Sequence, residues 1–298
     1  MKQKSFKLWF CSFYCLLTGI AKLFPIHKER KLSQRESHNA GMKKTALITG
    51  ASNGIGLELA KIFAKEGYDL ILIARNKEKL DAVKSNLEAA YKQQIYIYAK
   101  DLSEKDAAYD IYNFTQDQHI AVDVLINNAG FGDFGKFLDS DLTKQTEMIQ
   151  VNVTVLVQIC HLFTQQMAER KSGKILNIAS IAAFQAGPLM AVYYATKAFV
   201  LSFSEALSVE LKNSGITVTA LCPGPTPTGF EQNANLESSG LFKNLKITTA
   251  KSVALFGYRM LTKNKLIAVP GATNKFIVWA SKLLPRRFMR NMAYRIQK

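Results

Sequence analysis

The stretch Thr45–Gly56, TALITGASNGIG, decides the fold expected for this chain. Its first five residues are mostly apolar and β-prone, as in a β-strand that is buried on both faces. Glycines then turn the chain, and a helical pattern begins near Ile55. Backbone N–H groups at such a helix start favour an anion, and a side chain at Gly50 or Gly54 would keep a pyrophosphate away. The pattern predicts a phosphate-binding strand–turn–helix unit, with a plain tight turn as the alternative.

Six more apolar runs of strand length follow along the chain. They lie at 69–74, 94–99, 122–127, 174–179, 216–222 and, more weakly, 266–269. Helical patterns separate most of them, at 55–65, 77–91, 142–170 and 191–213. Alternating strands and helices with right-handed crossovers predict an α/β fold. We expect one domain at 42–298, a doubly wound, Rossmann-like, mostly parallel seven-stranded sheet with helices on both faces.

Composition and charge narrow the functional classes. The formal net charge of +16 suits nucleic acid, an anionic membrane surface, acidic small molecules or a solvated basic surface. No known nucleic-acid-binding module is visible, so we expect no nucleic-acid partner. The four cysteines, Cys11, Cys15, Cys160 and Cys222, show neither zinc spacing nor a C-x-x-C pair. We therefore expect no metal, and free thiols in a reducing compartment, the cytoplasm.

Residues 1–41 lie outside the predicted domain. Lysines precede an apolar run at 8–21, which is short for a membrane-spanning helix of about 20 residues. No A-x-A cleavage site follows the run. Three alternatives stay open: a membrane anchor within 8–24, an uncleaved signal-like segment, and a dispensable leader, since Met42 stands just before the first strand. Residues 28–41 have the composition of a polar linker.

The chain from about 270 is a basic extension. No Asp or Glu occurs after Glu237, whereas lysines and arginines recur to Lys298 among aromatic and aliphatic residues. A basic amphipathic segment of this kind can lie on an anionic membrane. The alternative is a helix that packs on the domain and exposes a basic outer face.

The second predicted strand ends at Ala74 and is followed by Arg75. Many NAD sites hold an acidic residue here, which accepts a hydrogen bond from the ribose 2′-hydroxyl. An arginine instead suits a 2′-phosphate, so NADP(H) is favoured over NAD(H). An exposed loop arginine is the alternative. The glycine turn is not a P-loop, because no Lys-Ser or Lys-Thr follows Gly56.

A reactive tyrosine is predicted in the stretch LMAVYYATKAF at 189–199. In its helical pattern Tyr193 and Lys197 are four residues apart and share one face, whereas Tyr194 has Ala198 at that spacing. A free phenol titrates at about 10, and a nearby ammonium lowers that pKa, which makes tyrosine a usable proton donor and acceptor. Ser180 follows the predicted strand at 174–179, at the edge where ligands bind in such sheets. We expect Tyr193 to carry chemistry and Tyr194 to pack or to line a pocket.

These features together resemble the short-chain dehydrogenase/reductase superfamily in its single-domain form, over nearly all of 44–270. The matching motifs are TGASNGIG at 49–56, Asp101 in KDLS, NNAG at 127–130, Asn152 in IQVNV, Ser180, YYATK at 193–197 and PGPTPT at 223–228. In that family a serine lies thirteen residues before the tyrosine of Tyr-x-x-x-Lys. Both spacings select Tyr193 in this chain.

The resemblance implies a role for each matching residue. Tyr193 would be the general acid/base, and Lys197 would lower its pKa and bind the nicotinamide ribose. Ser180 would position the substrate carbonyl beside Tyr193, and Asn152 would help to hold a water-linked proton relay. Tyr193 and Lys197 would also contact the cofactor, whose other expected contacts are Gly50, Ser52, Asn53, Gly54, Ile55, Gly56, Arg75, Asp101, Leu102, Asn128, Ala129, Gly130, Pro223, Gly224, Thr226 and Thr228. In this set, Asp101 would contact the adenine.

The resulting hypothesis is an NADP(H)-dependent oxidoreductase that interconverts a carbonyl and a secondary alcohol by hydride transfer. Apolar residues after Ser180, namely Ile181, Phe184, Leu189 and Met190, favour an apolar substrate such as a lipid, acyl or steroid-like ketone. The segment 230–245 is predicted to be a mobile lid over this substrate. The alternative function is an NADP-binding regulatory or scaffold protein without turnover.

Two further expectations come from the resemblance. Family members are commonly dimers or tetramers, so we expect a homo-oligomer built on the helices at 142–170 and 191–213. The glycine turn carries Asn53 where a basic residue often accompanies NADP preference. The NADP prediction therefore depends on Arg75 alone.

Overall fold

The computed structural model describes residues 43–229, 234 and 248–297. The described residues from Lys43 onward belong to one compact unit. The predicted anchor at 8–24 and the predicted linker at 28–41 lie outside the described residues. The predicted lid at 230–245 does too, apart from Ala234.

Seven strands form a single parallel sheet. In chain order they are β1 (Thr45–Thr49), β2 (Asp69–Ala74), β3 (Ile95–Ala99), β4 (Val124–Asn127), β5 (Gly173–Ile178), β6 (Ile216–Leu221) and β7 (Ile267–Ala268). Their spatial order is β3-β2-β1-β4-β5-β6-β7, and every neighbouring pair is parallel. The predicted α/β, Rossmann-like fold is confirmed. Because the strand order reverses between β1 and β4, a crevice opens at the carboxyl ends of these two strands.

Helices cover both faces of the sheet. In chain order the described helices are α1 (Gly54–Lys65), α2 (Lys77–Ala90), α3 (Ala107–Asp117), α4 (Leu142–Ile149), α5 (Val155–Glu169), α6 (Ala191–Glu210), α7 (Ala250–Thr262), α8 (Ala272–Leu283) and α9 (Arg286–Gln297). On one face α1, α2 and α7 bury Leu59, Leu80 and Val253 against the strands. On the other face α3 and α5 bury Ile111 and Phe163. These two cores hold the carboxyl edge of the sheet in place.

The helical pattern at 142–170 is not one regular helix. A π-helical turn at Gln150–Thr154 separates α4 from α5 and turns Asn152 into the interior. Such turns often occur at functional sites, because the extra residue redirects a side chain. Within the described residues one helical stretch, Leu142–Glu169, is long and apolar enough to cross a membrane. Within this stretch, Val155, Ile159 and Phe163 pack in the core, whereas Leu142 and Ile149 are exposed.

Candidate active site

The glycine turn joins β1 to α1 with two residues in the left-handed region. Gly50 and Gly54 have φ of +65° and +57°, which side chains rarely adopt. A Cβ at Gly50 would lie 2.8 Å from the Asn128 side-chain nitrogen, and one at Gly54 would lie 2.6 Å from Cβ of Thr228. The Asn53 side chain caps α1 by accepting from the Gly54 N–H at 2.8 Å. The turn thus brings bare backbone to the crevice at the amino end of a helix, where an anion is favoured.

Gly56 departs from its predicted role in binding the cofactor. It is buried, and it does not line the crevice. A Cβ at Gly56 would overlap the carbonyl oxygen of Gly50. Its lack of a side chain therefore serves close packing of α1 against the turn.

The loop after β4 is bonded directly to the end of β1. Thr49 Oγ1 accepts from the backbone N–H groups of Asn128 and Ala129, both at 3.0 Å. The Asn128 side-chain amide donates to the carbonyl oxygens of Thr49 at 2.9 Å and Gly50 at 3.1 Å. These bonds lock the two strand ends together at the point where the strand order reverses. Asn128 therefore supports the glycine turn from behind while it lines the crevice.

A cavity of about 920 Å³ occupies this crevice. All the predicted site residues except Gly56 and Asn152 line it. Its volume falls in the usual range for ligand sites, about 300–1,000 Å³. Gly50, Ser52 and Gly54 line the cavity at the amino end of α1, so the residues present fit the pyrophosphate of a dinucleotide. Among the described residues no group of His, Cys, Asp and Glu has metal-binding geometry.

Arg75 and Asp101, one basic and one acidic residue, line one end of the cavity. The Arg75 guanidinium is exposed and lies 4.0 Å from an Asp101 carboxylate oxygen. Asp101 also accepts from the backbone and hydroxyl of Ser103, at 2.9 and 2.8 Å. Lys79 and Lys100 line the same cavity, and sequence reasoning missed both. Lys100 is paired with Asp110 and Glu104, whereas Lys79 has no carboxylate partner among the residues that the structure describes.

Tyr193 and Ser180 meet at the other end of the cavity. The Ser180 hydroxyl is hydrogen-bonded to the Tyr193 phenol, and the same hydroxyl oxygen accepts from the Ala182 N–H at 3.1 Å. Burial raises the pKa of Tyr193 above its usual value, the bond to Ser180 opposes that rise, and neighbouring Tyr194 adds to it. Burial therefore favours the neutral phenol form of Tyr193.

Lys197 lies beside this phenol, and its effect on the pKa of Tyr193 stays a prediction. Its Nζ is 5.8 Å from the centre of the Tyr193 ring and donates to the Ile178 carbonyl oxygen at 2.8 Å. Burial lowers the pKa of Lys197 to about 8, although the Cys222 thiol opposes the shift. Burial is therefore costly for the ammonium of Lys197 as well as for the phenolate of Tyr193.

Asn152 is placed beneath the site rather than in it. Its carbonyl oxygen accepts from the Phe131 N–H at 3.1 Å, and its amide donates to the Phe131 carbonyl at 2.9 Å and to Thr196 Oγ1 at 3.1 Å. The side chain therefore ties the loop after β4 to the turn of α6 that carries Tyr193 and Lys197. The π-helical turn places the Asn152 side chain for these contacts.

The predicted apolar wall of the substrate region is only partly present. Ile181 and Met190 line the cavity, whereas Phe184 and Leu189 do not. Leu189 occupies a tight turn with φ of +68°, and its carbonyl accepts from the Gly135 N–H. Tyr194 lines the cavity, as expected of a pocket-wall residue.

The helix α9 supplies part of the wall that sequence reasoning missed. Met292, Ala293, Ile296 and Gln297 line the cavity, together with Ile277 of α8. Gln297 is fully buried, and its side-chain amide donates to the Tyr194 hydroxyl at 2.7 Å. The available signal was the spacing of Met289, Met292, Ala293 and Ile296, which share one helical face. Arginines at neighbouring positions made this apolar face hard to recognise in the sequence.

Comparisons with known proteins identify the family of the chain. The family model for short chain dehydrogenases matches residues 44–239. The chain is 36% identical over 193 residues to the very-long-chain 3-oxoacyl-CoA reductase of Anas platyrhynchos. The aligned region covers 63% of this chain and 62% of that protein, so the chain spans less than two thirds of the length of that relative.

Two solved structures have the same fold. A short-chain dehydrogenase from Sphingobium yanoikuyae in complex with NADPH has a TM-score of 0.73 and 28% identity, over 80% of this chain and 93% of that one. A bulky-bulky ketone specific alcohol dehydrogenase from Comamonas testosteroni has a TM-score of 0.69 and 27% identity, over 80% and 92%. The model match spans more than half of the 298 residues. The chain therefore belongs to the short-chain dehydrogenase family, and the protein is an oxidoreductase.

Proposed function

We propose that the protein is an NADPH-dependent reductase of apolar ketones, with Tyr193 as general acid. The observation that carries this proposal is the Ser180–Tyr193 hydrogen bond, which lies in the same cavity as the glycine turn and Lys197. A dinucleotide bound with its pyrophosphate on the turn would extend along this cavity toward Tyr193. When bound, the reduced nicotinamide supplies the hydride.

The protein's own groups are suited to the proton transfer. A ketone oxygen between the Ser180 and Tyr193 hydroxyls would accept two hydrogen bonds, which stabilise negative charge as it develops on that oxygen. Burial keeps Tyr193 protonated at neutral pH, so the phenol can deliver its proton to the oxygen. Lys197, close to the ring, would stabilise the phenolate that results. Asn152 would hold Tyr193 in position through Thr196.

Two cations support the preference for NADP over NAD. Arg75 and Lys79 both line the cavity near Asp101, and either can bind a 2′-phosphate. Asp101 opposes them, because its carboxylate lies near Arg75 and would repel a phosphate. Lys100 is paired with two carboxylates, so Arg75 and Lys79 are the stronger candidates for binding the 2′-phosphate. The relative from Sphingobium was solved with NADPH.

An apolar substrate is supported by the wall of the cavity on the Tyr193 side. Met190, Ile181 and Ile296 lie there with Tyr194. The names of two relatives specify a very-long-chain 3-oxoacyl-CoA and bulky-bulky ketones as their substrates. We extend to this chain only the shared chemistry, a ketone flanked by bulky apolar groups.

Self-association and membrane contact complete the proposal. On α6 the rings of Phe199 and Phe203 are stacked, with their centres 5.9 Å apart. Phe199 is exposed, and an exposed aromatic pair suits a contact with a second copy of the chain. A membrane contact through 8–24 concerns residues outside the described part.

A substrate screen tests the proposed function. The full chain is assayed with a panel of aliphatic, acyl and steroidal ketones and the matching alcohols, with NADP(H) and NAD(H) side by side. We expect NADPH oxidation to depend on a bulky ketone and to be lost in Tyr193→Phe. Tight NADPH binding without turnover across the panel would favour the regulatory or scaffold alternative.

A further inference from the structure

The outer sides of α8 and α9 form a surface that the site does not use. We call it the basic-aromatic face and define it by the exposed side chains of Phe276, Trp279, Leu283 and Phe288 and the cations around them. These four side chains are 64%, 58%, 63% and 54% exposed. Phe276, Trp279 and Leu283 recur at helical spacing, with Phe276 and Trp279 in ring contact at 5.9 Å. Val278 lies on the opposite, buried side.

The charges of this face all have one sign. Its exposed cations are Lys275, Lys282, Arg286, Arg287, Arg290 and Arg295. The sequence contains no Asp or Glu after Glu237. Among the described residues none of these cations lies within ion-pair distance of a carboxylate, and Lys282 lies instead 5.9 Å from the centre of the Phe184 ring. The face therefore combines exposed apolar area with an uncompensated positive potential.

We propose that the basic-aromatic face docks on an anionic phospholipid surface. Aromatic and aliphatic side chains on a helix enter the boundary between lipid headgroups and acyl chains, and arginines bind the phosphates around them. Trp279 suits that boundary, since its ring is apolar and its N–H needs a polar partner. A second copy of the chain fits less well, because a two-fold contact would bring the same cations together.

The inner sides of the same helices face the cavity. Ile277 of α8 and Met292 and Ile296 of α9 line it. Docking through the outer side leaves these side chains in place. The inference does not depend on the proposed reaction, and outer-face variants can be tested without changing a residue of the site.

Trp279 makes the contact measurable in the full chain. The sequence has two tryptophans, Trp9 and Trp279. Trp9→Phe leaves Trp279 as the sole tryptophan, so a lipid contact made elsewhere, including one made by residues 1–41, is not mistaken for this one. The probe is a vesicle of phosphatidylcholine and phosphatidylglycerol with brominated acyl chains, which quench tryptophan on contact. We expect Trp279 emission to shift to shorter wavelength and to be quenched, with little change on phosphatidylcholine alone.

A charge variant and a matched control test the mechanism. Arg286→Ser/Arg287→Ser/Arg290→Ser, in the Trp9→Phe background, removes three cations from the face. Lys65→Ser/Lys105→Ser/Lys212→Ser removes three exposed cations from elsewhere. Because each cation near an anionic surface contributes about 1 kcal/mol, we expect the first variant to weaken vesicle binding by about a hundredfold and the control to weaken it far less.

Four results would overturn the proposal. The first is unchanged Trp279 emission while the protein sediments with the anionic vesicles, which would place the contact elsewhere. The second is a shift of Trp279 emission with protein concentration alone, which would identify a second copy as the partner. The third is that the two charge variants weaken vesicle binding equally, which would mean that only the net charge of the protein matters. Persistence of the Trp279 shift when RNA, but not vesicles, is supplied would favour a nucleic acid and also counts against a lipid surface.

Discussion

The side-chain amide of Gln297 donates a hydrogen bond to the Tyr194 hydroxyl at 2.7 Å, across 103 residues of sequence. This bond joins α9 to the helix that carries Tyr193 and Lys197. Burial raises the pKa of Tyr194 to about 12, and the bond to Gln297 opposes the rise. Tyr194 is therefore neutral at all ordinary pH values, and its hydroxyl serves to hold the cavity wall.

Tyr194→Phe should destabilise the protein without removing catalysis. The substitution leaves the buried Gln297 amide without this acceptor, which costs about 1–3 kcal/mol of unfolding free energy. Tyr194→Phe/Gln297→Leu replaces both partners by apolar groups and should recover part of the loss. Denaturant unfolding of both variants measures the effect. If the double variant is as unstable as the sum of the two single variants, the two groups are not coupled.

Tyr193→Phe should lower kcat for ketone reduction by about 10²–10⁴-fold, since it removes the only proposed proton donor beside Ser180. NADPH binding, followed by quenching of protein fluorescence, should change little. Tyr194→Phe is the matched control, because it removes the neighbouring phenol from the same helix. Equal loss of kcat in the two variants would contradict the assignment of Tyr193.

Arg75→Asp should reduce the preference for NADPH over NADH by about tenfold. A hydrogen bond to a charged group contributes about 1.5–3 kcal/mol, and exposure of Arg75 places its effect at the low end. Lys79→Ser should act in the same direction, because Lys79 lines the same end of the cavity. The ratio of kcat/KM for the two cofactors gives the readout. Lys65→Asp, on an exposed position of α1, controls for net charge, and a similar change in that variant would remove the argument from Arg75.

Lys197→Met should abolish activity and change the pH dependence of stability. The pKa of Lys197 is lowered from 10.5 to about 8 in the folded protein, so the unfolded chain binds the proton more tightly. Below pH about 8 the buried charge costs on the order of 3 kcal/mol, and this cost disappears as the pH rises from about 8 toward 10.5. Lys197→Met has no charge at this position and so lacks this cost, although it loses the hydrogen bond to the Ile178 carbonyl oxygen.

The difference in Tm between Lys197→Met and the parent protein should therefore be more positive at pH 7 than at pH 10. Lys65→Met, an exposed lysine, should show no such trend. A difference for Lys197→Met that is constant from pH 7 to pH 10 would mean that Lys197 keeps an ordinary pKa in the folded protein.

Much of the fold and of the candidate site could be predicted because it depends on local patterns. The β1–turn–α1 unit is contiguous, so its glycines and apolar strand are visible in twelve residues. Tyr193 and Lys197 share a helical face by spacing alone. Gly56 and Asn152 were assigned by motif, and their contacts with the carbonyl of Gly50 and the backbone of Phe131 needed the folded chain.

The sequence by itself determined the order of strands and helices along the chain and the family, and it predicted Tyr193 as the reactive tyrosine. These follow from side-chain periodicity and short spacings, which act over one or two turns of chain. Only the tertiary structure decided that α9 lines the cavity, that Lys79 joins Arg75 at one end of it, and that burial raises the pKa of Tyr193. Such properties depend on which distant groups exclude water from one another, and packing in three dimensions sets that.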